Sequence, residues 1–322
     1  MTPTGTEALR DLVARNLVAA RERTELLTGS VDDADLVRQH SPLMSPLVWD
    51  LAHVANQEEL WLLREVGGRD PMHPEIDPLY DAFEHPRAER PTLPLLPPAE
   101  ARAYAQEVRG RVLDLIEAAT FTGSRLLTGA FAFGMIAQHE QQHDETMLIT
   151  HQLRKGAPVL SAPAPEPAPD ALSLPREVLI PGGAFTMGTS THAWALDNER
   201  PAHTVAVPAF YLDTTPVTNA AYLEFIADGG YGNPRWWRPV GWDHRQRARL
   251  AAPLFWRRDG TSWVRSLAAA RLLATRSRSA SVPVGVMVDS LPRGRFGLEP
   301  YELAASRASS SRSSAGHRYR AT

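Results

Sequence analysis

The sequence contains no cysteine among its 322 residues. This absence excludes disulfide bonds, thiolate metal ligands and a cysteine nucleophile, so any metal ion must be held by nitrogen and oxygen atoms. Long apolar runs are also missing, since none approaches the roughly 20 residues that a membrane-spanning helix needs. The N-terminus lacks the basic start and unbroken apolar core of a secretory signal. We therefore expect a cytoplasmic protein with no membrane partner.

The sequence also lacks a large excess of positive or negative charge. The formal net charge is -3, and no basic run alternates with aromatic residues as in a single-strand binder. Nucleic acid is therefore not an expected partner. A hydrophobic content of 43% over this length is enough for two domains, each with its own core.

Four segments show the three- and four-residue apolar spacing of amphipathic helices. They cover residues 6–27, 45–68, 98–118 and 130–155. In the first segment the predicted stripe includes Leu12, Val13, Leu17 and Val18. The second has Ser45 as its predicted N-cap and a proline at the first helical position. Four long helices with one extended connection predict a four-helix bundle over residues 1–155.

The composition changes twice after the bundle. Residues 156–176 alternate Pro and Ala and form a predicted stiff linker. Residues 177–264 consist of short β-like pieces, turn residues and one helical stretch, which predicts a mixed α/β domain. Residues 265–322 are crowded with Arg and Ser and are predicted to be disordered, because they can bury little apolar area.

The fourth helix contains the stretch "HEQQH", from His139 to His143. Residues four apart on a helix are separated by about 40° around its axis, so both histidines can reach one metal ion. The same letters occur in zinc peptidases, where the glutamate is the general base. A peptidase would need a third ligand from a following glycine-histidine motif or helix, and the sequence offers neither.

His53, within the second amphipathic helix, is the candidate third ligand. Bundle cores commonly hold metals on side chains from facing helices. A histidine at a helix interface is the competing interpretation, and spacing alone does not decide between the two. Three imidazoles would suit zinc or a ferrous ion with open positions, and spacing does not decide that either.

The motifs "LAHVANQEELWLL", "YDAFEHPRAERPTLPLL" and "GMIAQHEQQHDETMLITHQLR" resemble the DinB-like domain of the ergothioneine-biosynthesis sulfoxide synthases, or hercynine oxygenases. "IPGGAFTMGTS" and the segment after it resemble the start of their second domain, shared with formylglycine-generating, sulfatase-modifying proteins. The resemblance implies a multidomain chain: an all-α DinB-like bundle, then an incomplete mixed α/β, C-type-lectin-like domain.

The resemblance also implies a reaction and a site. Such an enzyme uses Fe(II) and O₂ to join the sulfur of γ-glutamylcysteine, or of cysteine in some relatives, to the imidazole C2 of hercynine, yielding a sulfoxide. His53, His139 and His143 would be the iron ligands. Gln142 would hydrogen-bond the hercynine imidazole. Arg87 and Arg90 would bind the carboxylates of γ-glutamylcysteine.

The sequence departs from the family after residue 264, where the later motifs of the second domain are not found. The family's catalytic tyrosine belongs to that portion, and neither Tyr301 nor Tyr319 lies in a matching motif. A frameshift near residue 264 is our hypothesis, which resequencing of the coding DNA would test. Two alternatives remain: a non-catalytic metal-binding scaffold, and a zinc hydrolase with Glu140 as base.

Overall fold

The computed structural model describes residues 5–161, 174–266 and 271–273. Its helices are α1 (Gly5–Gly29), α2 (Asp33–Val37), α3 (Leu47–Glu58), α4 (Pro98–Ala118), α5 (Phe131–Leu153), α6 (Asn219–Ala227) and α7 (Pro239–Arg247). A π-helical stretch, Glu59–Val66, continues α3 without a break. Short 3₁₀ turns lie at Asp77–Tyr80, Arg90–Thr92, Thr128–Ala130, Asp197–Glu199, Gly230–Gly232 and Pro234–Trp236.

Helices α1, α3, α4 and α5 pack around one hydrophobic core, as the four-helix prediction requires. The bounds of α4 coincide with the predicted segment at both ends. The apolar residues that recur along it at three- and four-residue spacing are buried: Ala101, Tyr104, Val108, Val112 and Ile116. The short helix α2 was missed, because five residues are too few for a periodic pattern.

The predicted stripe of α1 is wrong in part. Val13 and Leu17 are buried, but Leu12 and Val18 are exposed. The buried face continues instead through Arg21 and the hydroxyl residues Thr24 and Thr28. Apolar spacing does not reveal polar residues that are buried because they have partners in the folded chain. The prediction therefore placed the neighbouring apolar residues, Leu12 and Val18, on the buried face instead.

The predicted cap of the second helix is also wrong. The helix begins at Leu47 with Pro46 as N-cap, and no side chain caps it. The hydroxyl of Ser45 instead accepts a hydrogen bond from Arg90 Nη1 at 2.6 Å. Because that hydroxyl has a buried cationic partner from a distant loop, it contributes a tertiary contact where local sequence suggested a cap.

Four of the buried charged residues in the bundle core, one from each of its four helices, contact one another. Arg21 of α1 contacts Glu58 of α3 at 2.8 Å and Glu140 of α5 at 2.6 Å. Arg109 of α4 contacts the same two carboxylates, each at 2.6 Å. Each buried charge therefore has two partners of opposite sign, which offsets the cost of removing it from water. We call these four residues the charge quartet.

The second region contains antiparallel strands. They are β1 (Glu177–Ile180), β2 (Gly183–Met187), β3 (His203–Val207), β4 (Phe210–Asp213), β5 (Trp256–Asp259), β6 (Ser262–Ser266) and β7 (Arg271–Leu273). The pairs β1–β4 and β2–β3 form two-stranded ladders, and β5–β6–β7 form a three-stranded sheet.

The predicted boundary at residue 264 falls inside β6, which extends to Ser266 and pairs with β7. The predicted disorder of residues 265–322 is therefore wrong at its start. Backbone hydrogen bonds between strands stabilise a ladder whatever its side-chain composition, and the composition argument overlooked them. Residues 267–270 and 274–322 of that prediction, and residues 162–173 of the predicted linker, lie outside the described residues.

The described residues belong to two units. The bundle, the strands and α6 up to Leu223 lie in the first. Residues 224–252, which include α7, lie in the second, where Trp237 Nε1 donates to Gly230 O at 2.8 Å. Within the described ranges, no helix combines the length and the apolar character that crossing a membrane requires.

Candidate metal centre

The structure brings the three predicted histidines together between α3 and α5. His53 lies in the middle of α3, and His139 and His143 lie one turn apart on α5. One nitrogen from each imidazole can be chosen so that all three lie within 4.8 Å of one another. His53 is buried and the other two rings are half-buried. These three residues form the histidine cluster.

Two of the three rings are oriented by partners outside the cluster. The Nδ1 atom of His53 lies 2.8 Å from the carbonyl oxygen of Tyr80. The Nδ1 atom of His143 lies 3.0 Å from Oδ1 of Asp50. Because a carbonyl or carboxylate oxygen can only accept, each Nδ1 carries the proton and donates. In the neutral ring, the lone pair is then on Nε2, the nitrogen that remains available to a metal.

The electrostatic environment keeps two rings of the cluster, those of His53 and His139, uncharged. Burial, and then the adjacent His143 and His139, lowers the pKa of His53 to about 2. Burial, and then His143, lowers the pKa of His139 to about 4. Both rings are therefore neutral near pH 7, and neutral imidazole is the form that ligates metal ions.

The residues present fit a metal cofactor. Three imidazoles converge, and two of them are held by the acceptor contacts that metal-bound histidines commonly make through their other nitrogen. Among the described residues, the buried Nδ1 of His139 has no hydrogen-bond partner. A nitrogen-only donor set suits zinc, iron, copper or nickel ions and excludes the thiolate sites typical of structural zinc.

Glu140 points away from the cluster, although it is a neighbour of His139 in sequence. Its carboxylate accepts from Arg21 Nε and Arg109 Nη2, each at 2.6 Å, and from Thr24 at 2.9 Å. It is 1% exposed, and the two arginines hold its pKa below the usual range against the opposing effect of burial. The zinc-hydrolase interpretation therefore has no general base, since Glu140 belongs to the charge quartet.

Arg90 lies close to the cluster through an aromatic intermediary. Its guanidinium carbon is 3.5 Å from the centre of the Trp49 ring, and Trp49 stacks on His53 at 4.5 Å. Arg90 is buried and donates to Ser45 Oγ and to His85 O. Burial lowers its pKa from the usual value.

Arg87 and Gln142 are placed at the surface. Arg87 is exposed and donates from Nη1 to Leu43 O at 2.8 Å. Gln142 is exposed on α5, three residues after His139, a spacing that makes the two side chains neighbours on the helix. The structure thus links Arg90 to the cluster by ring contacts, whereas among the described residues neither Arg87 nor Gln142 forms a hydrogen bond or ring contact with a histidine of the cluster.

Sequence reasoning missed three residues around the cluster: Trp49, Asp50 and Tyr80. Asp50 precedes His53 by three residues, so the helical spacing could have drawn attention to it. Trp49 is one position earlier and its indole Nε1 donates to Leu79 O at 3.0 Å. Tyr80 contacts His53 through its backbone carbonyl oxygen. Every residue has such an oxygen, so the sequence does not indicate this contact.

Two family models match the chain. The DinB superfamily model matches residues 16–147, and the sulfatase-modifying factor enzyme 1-like domain model matches residues 161–283. These matches confirm the predicted order of a helical DinB-like domain followed by a sheet-containing, sulfatase-modifying-factor-like domain. The second match begins inside the predicted linker and ends beyond residue 264.

Curated relatives include hercynine oxygenases. The chain is 52% identical over 256 residues to that of Mycolicibacterium smegmatis, covering 78% of this chain and 58% of the relative. It is 49% identical over 260 residues to that of Mycobacterium tuberculosis, covering 79% and 59%. A formylglycine-generating enzyme of Bos taurus is 33% identical over 115 residues, covering 36% and 29%. The chain therefore spans little more than half the length of the hercynine oxygenases it matches.

Proposed function

Since the chain belongs to the hercynine oxygenase family, we propose that it acts in ergothioneine biosynthesis as a sulfoxide synthase with an Fe(II) cofactor. The proposed reaction consumes O₂, joins the sulfur of γ-glutamylcysteine to the imidazole C2 of hercynine and oxidises that sulfur to the sulfoxide. The observation on which the proposal depends is the convergence of three imidazoles between α3 and α5, with the pKa values of His53 and His139 lowered by burial.

His53, His139 and His143 would hold the iron ion. Ferrous iron bound by three histidines keeps open positions and supplies the activation of O₂ that such an oxidation requires. The contribution of the chain is to bring the three rings together and to hold two of them, His53 and His143, in orientation before the ion binds. A site organised in advance does not have to be ordered at the moment of binding.

Arg87 and Arg90 are the proposed binding residues for the carboxylates of γ-glutamylcysteine. A guanidinium presents a planar set of donors that matches a carboxylate. Arg90 is held in place by Trp49 and Ser45 and lies near the cluster, whereas Arg87 is exposed nearby on the same loop. This placement would put the thiol substrate on the side of the loop that faces the histidine cluster. Holding the thiol and hercynine close together there would favour the reaction between them. Free cysteine is the alternative thiol donor.

Gln142 is the proposed hydrogen-bond partner of the hercynine imidazole. It is exposed and follows His139 by three residues, so its amide is available beside that ligand. The proton donor to the oxygenated intermediate is not assigned. Tyr301 and Tyr319, which match no family motif, lie outside the described residues.

The test is a turnover experiment on the full chain. The purified protein is loaded anaerobically with Fe(II), supplied with hercynine and γ-glutamylcysteine or cysteine, and exposed to O₂. Mass spectrometry then looks for the coupled sulfoxide. We expect iron to bind and turnover to be impaired relative to a full-length relative, because the family motif with the catalytic tyrosine is not found; any product should depend on both substrates and disappear when a chelator removes the metal.

A matched pair of variants identifies the site. His139→Ala removes a ligand of the cluster and is expected to abolish iron binding and product. His151→Ala removes a buried histidine of the same helix, twelve residues on, and is expected to retain both. Iron binding without product would support the scaffold alternative, whereas product formed with zinc and without O₂ would contradict the oxygenase proposal.

A further inference from the structure

Asp50 is a buried acid with an unusual set of neighbours. It lies in the first turn of α3 and is 2% exposed. Its Oδ1 is within 3.0 Å of His143 Nδ1, while its Oδ2 has no hydrogen-bond partner among the described residues. A buried carboxylate with half its acceptor capacity unused is costly in free energy, so its single side-chain contact calls for a functional account.

The contact of Asp50 crosses from one helix to the other. His53 and Asp50 both belong to α3, whereas His143 belongs to α5. The Asp50 carboxylate therefore connects the His143 ring on α5 to α3, the helix that contains His53. It also selects the tautomer of His143, because a proton on Nδ1 leaves the lone pair on Nε2.

The charge of Asp50 has a second neighbour in Arg90. The carboxylate favours the charged form of the Arg90 guanidinium and so opposes the fall in pKa that burial causes. The Asp50 carboxylate thus interacts electrostatically with the proposed carboxylate-binding arginine and contacts a ring of the histidine cluster. An imidazole that donates to a carboxylate is a stronger ligand for a cation than one that donates to water.

We propose that Asp50 is a positioning residue of the metal centre: through His143 it fixes the tautomer and orientation of that ligand and strengthens its donation to the ion. This inference rests on the proposed function, since it requires that the histidine cluster bind a metal. Asp50 acts through another residue and has no role assigned to it in the reaction itself.

The test measures metal affinity directly. Asp50→Ala removes the carboxylate, and Asp50→Asn keeps an acceptor oxygen but removes the charge. The anaerobic affinity of the full chain for Fe(II), and for Co(II) as a spectroscopic probe, is measured by competition with a chelator. We expect Asp50→Ala to weaken binding by about 10- to 100-fold, and Asp50→Asn to fall at the lower end of that range. The visible Co(II) spectrum is expected to change in both variants.

Asp144→Asn is the matched control. Asp144 is also buried and adjacent to His143 in sequence, but its carboxylate accepts from Thr24 at 2.9 Å and contacts no histidine of the cluster. We expect its metal affinity to stay within about threefold of the parent. Far-UV circular dichroism establishes that each variant retains its helices, and Asp50→Asn, which preserves side-chain shape, covers the case in which Asp50→Ala fails to fold.

A second background separates positioning from a general structural role. In His143→Ala the ring on which Asp50 acts is absent, so adding Asp50→Asn is expected to cause no further loss of affinity. A loss of the same size in both backgrounds would overturn the inference. So would parental affinity in both Asp50 variants while the parent binds metal. A parent that binds no metal would overturn the proposed function itself, and this inference with it.

Discussion

His151 shows how burial of one titratable residue makes stability depend on pH. It lies near the end of α5, is buried, and has its Nε2 within 2.9 Å of Leu27 O. Burial, reinforced by the charges of Arg154 and His40, lowers its pKa below the usual value, although the contact to Leu27 opposes this. Below about pH 6.5, His151 therefore binds a proton more readily in the unfolded chain than in the folded chain.

The sign of this effect gives a prediction. Because the folded pKa is lowered, the contribution of His151 to stability is present above about pH 6.5 and is lost as the pH falls. We expect the metal-free His151→Gln chain to lose less free energy of unfolding than the parent between about pH 7 and pH 5. Urea unfolding followed by far-UV circular dichroism measures both slopes.

The exposed His192 provides the control for this prediction. The His192→Gln chain should keep the parental pH slope. His53 and His139 act in the same direction, so the comparison is made between variant and parent and not on the parent alone. Equal slopes in His151→Gln and the parent would contradict the assignment.

At the scale of elements, the charge quartet fixes how four helices meet. Consecutive acids at the end of α3 serve different networks: Glu58 belongs to the quartet, whereas Glu59 accepts from Tyr104 at 2.6 Å and pairs with Arg64. Both are 0% exposed, because α3 is buried along almost its whole length. The π-helical stretch begins at Glu59 and alters the spacing at that point.

Removing one charge of the quartet should be costly. Glu140→Gln leaves Arg21 and Arg109 with a single carboxylate between them, Glu58. We expect a loss of about 3–5 kcal/mol in the free energy of unfolding, because an uncompensated charge remains buried. Urea unfolding of the metal-free chain measures it.

Glu145→Gln is the control on the same helix, because Glu145 is exposed. Its effect should lie within about 0.5 kcal/mol of zero. If Glu140→Gln costs no more than this control, the quartet does not stabilise the bundle as described.

At the scale of the whole first unit, a tryptophan joins the region after the linker to the bundle. Trp194 donates from Nε1 to Gly129 O at 2.9 Å, just before α5. Its ring covers Gly134 so closely that a Cβ at residue 134 would lie 2.5 Å from Trp194 Cδ2. The glycine therefore makes room for the ring five residues before His139.

This contact predicts opposite outcomes for two glycine substitutions. Gly110→Ala on α4 meets nothing within 4 Å and should stabilise the chain by about 0.5–1 kcal/mol through helix propensity. Gly134→Ala has the same propensity gain but should destabilise the chain, since overpacking typically costs about 1–3 kcal/mol. Urea unfolding compares the two.

A double substitution tests the cause. In the Trp194→Ala background the obstruction is absent, and Gly134→Ala should then become stabilising, as Gly110→Ala is. Limited proteolysis should cleave residues 189–200 faster in Gly134→Ala than in the parent if Trp194 is displaced. Stabilisation by Gly134→Ala while Trp194 is present would show that the two residues are not in contact in solution.

The sequence by itself determined the helical first domain and the residues of the histidine cluster. Apolar periodicity gave the bounds and buried face of α4, and the four-residue spacing placed His139 and His143 on one face of α5. These features depend only on the geometry of a single helix, which is the same wherever the helix lies. The order of the two domains followed from motifs along the chain.

Only the tertiary structure decided what each polar side chain contacts. In the folded chain, Glu140 pairs with Arg21 and Arg109. Asp50 contacts His143, and the hydroxyl of Ser45 accepts a hydrogen bond from Arg90. These partners lie between 31 and 119 residues apart in sequence. Periodicity shows which residues share a face, but the register in which two faces pack sets the pairs across them. That register is a property of the assembled core, because every helix must satisfy its buried charges at once.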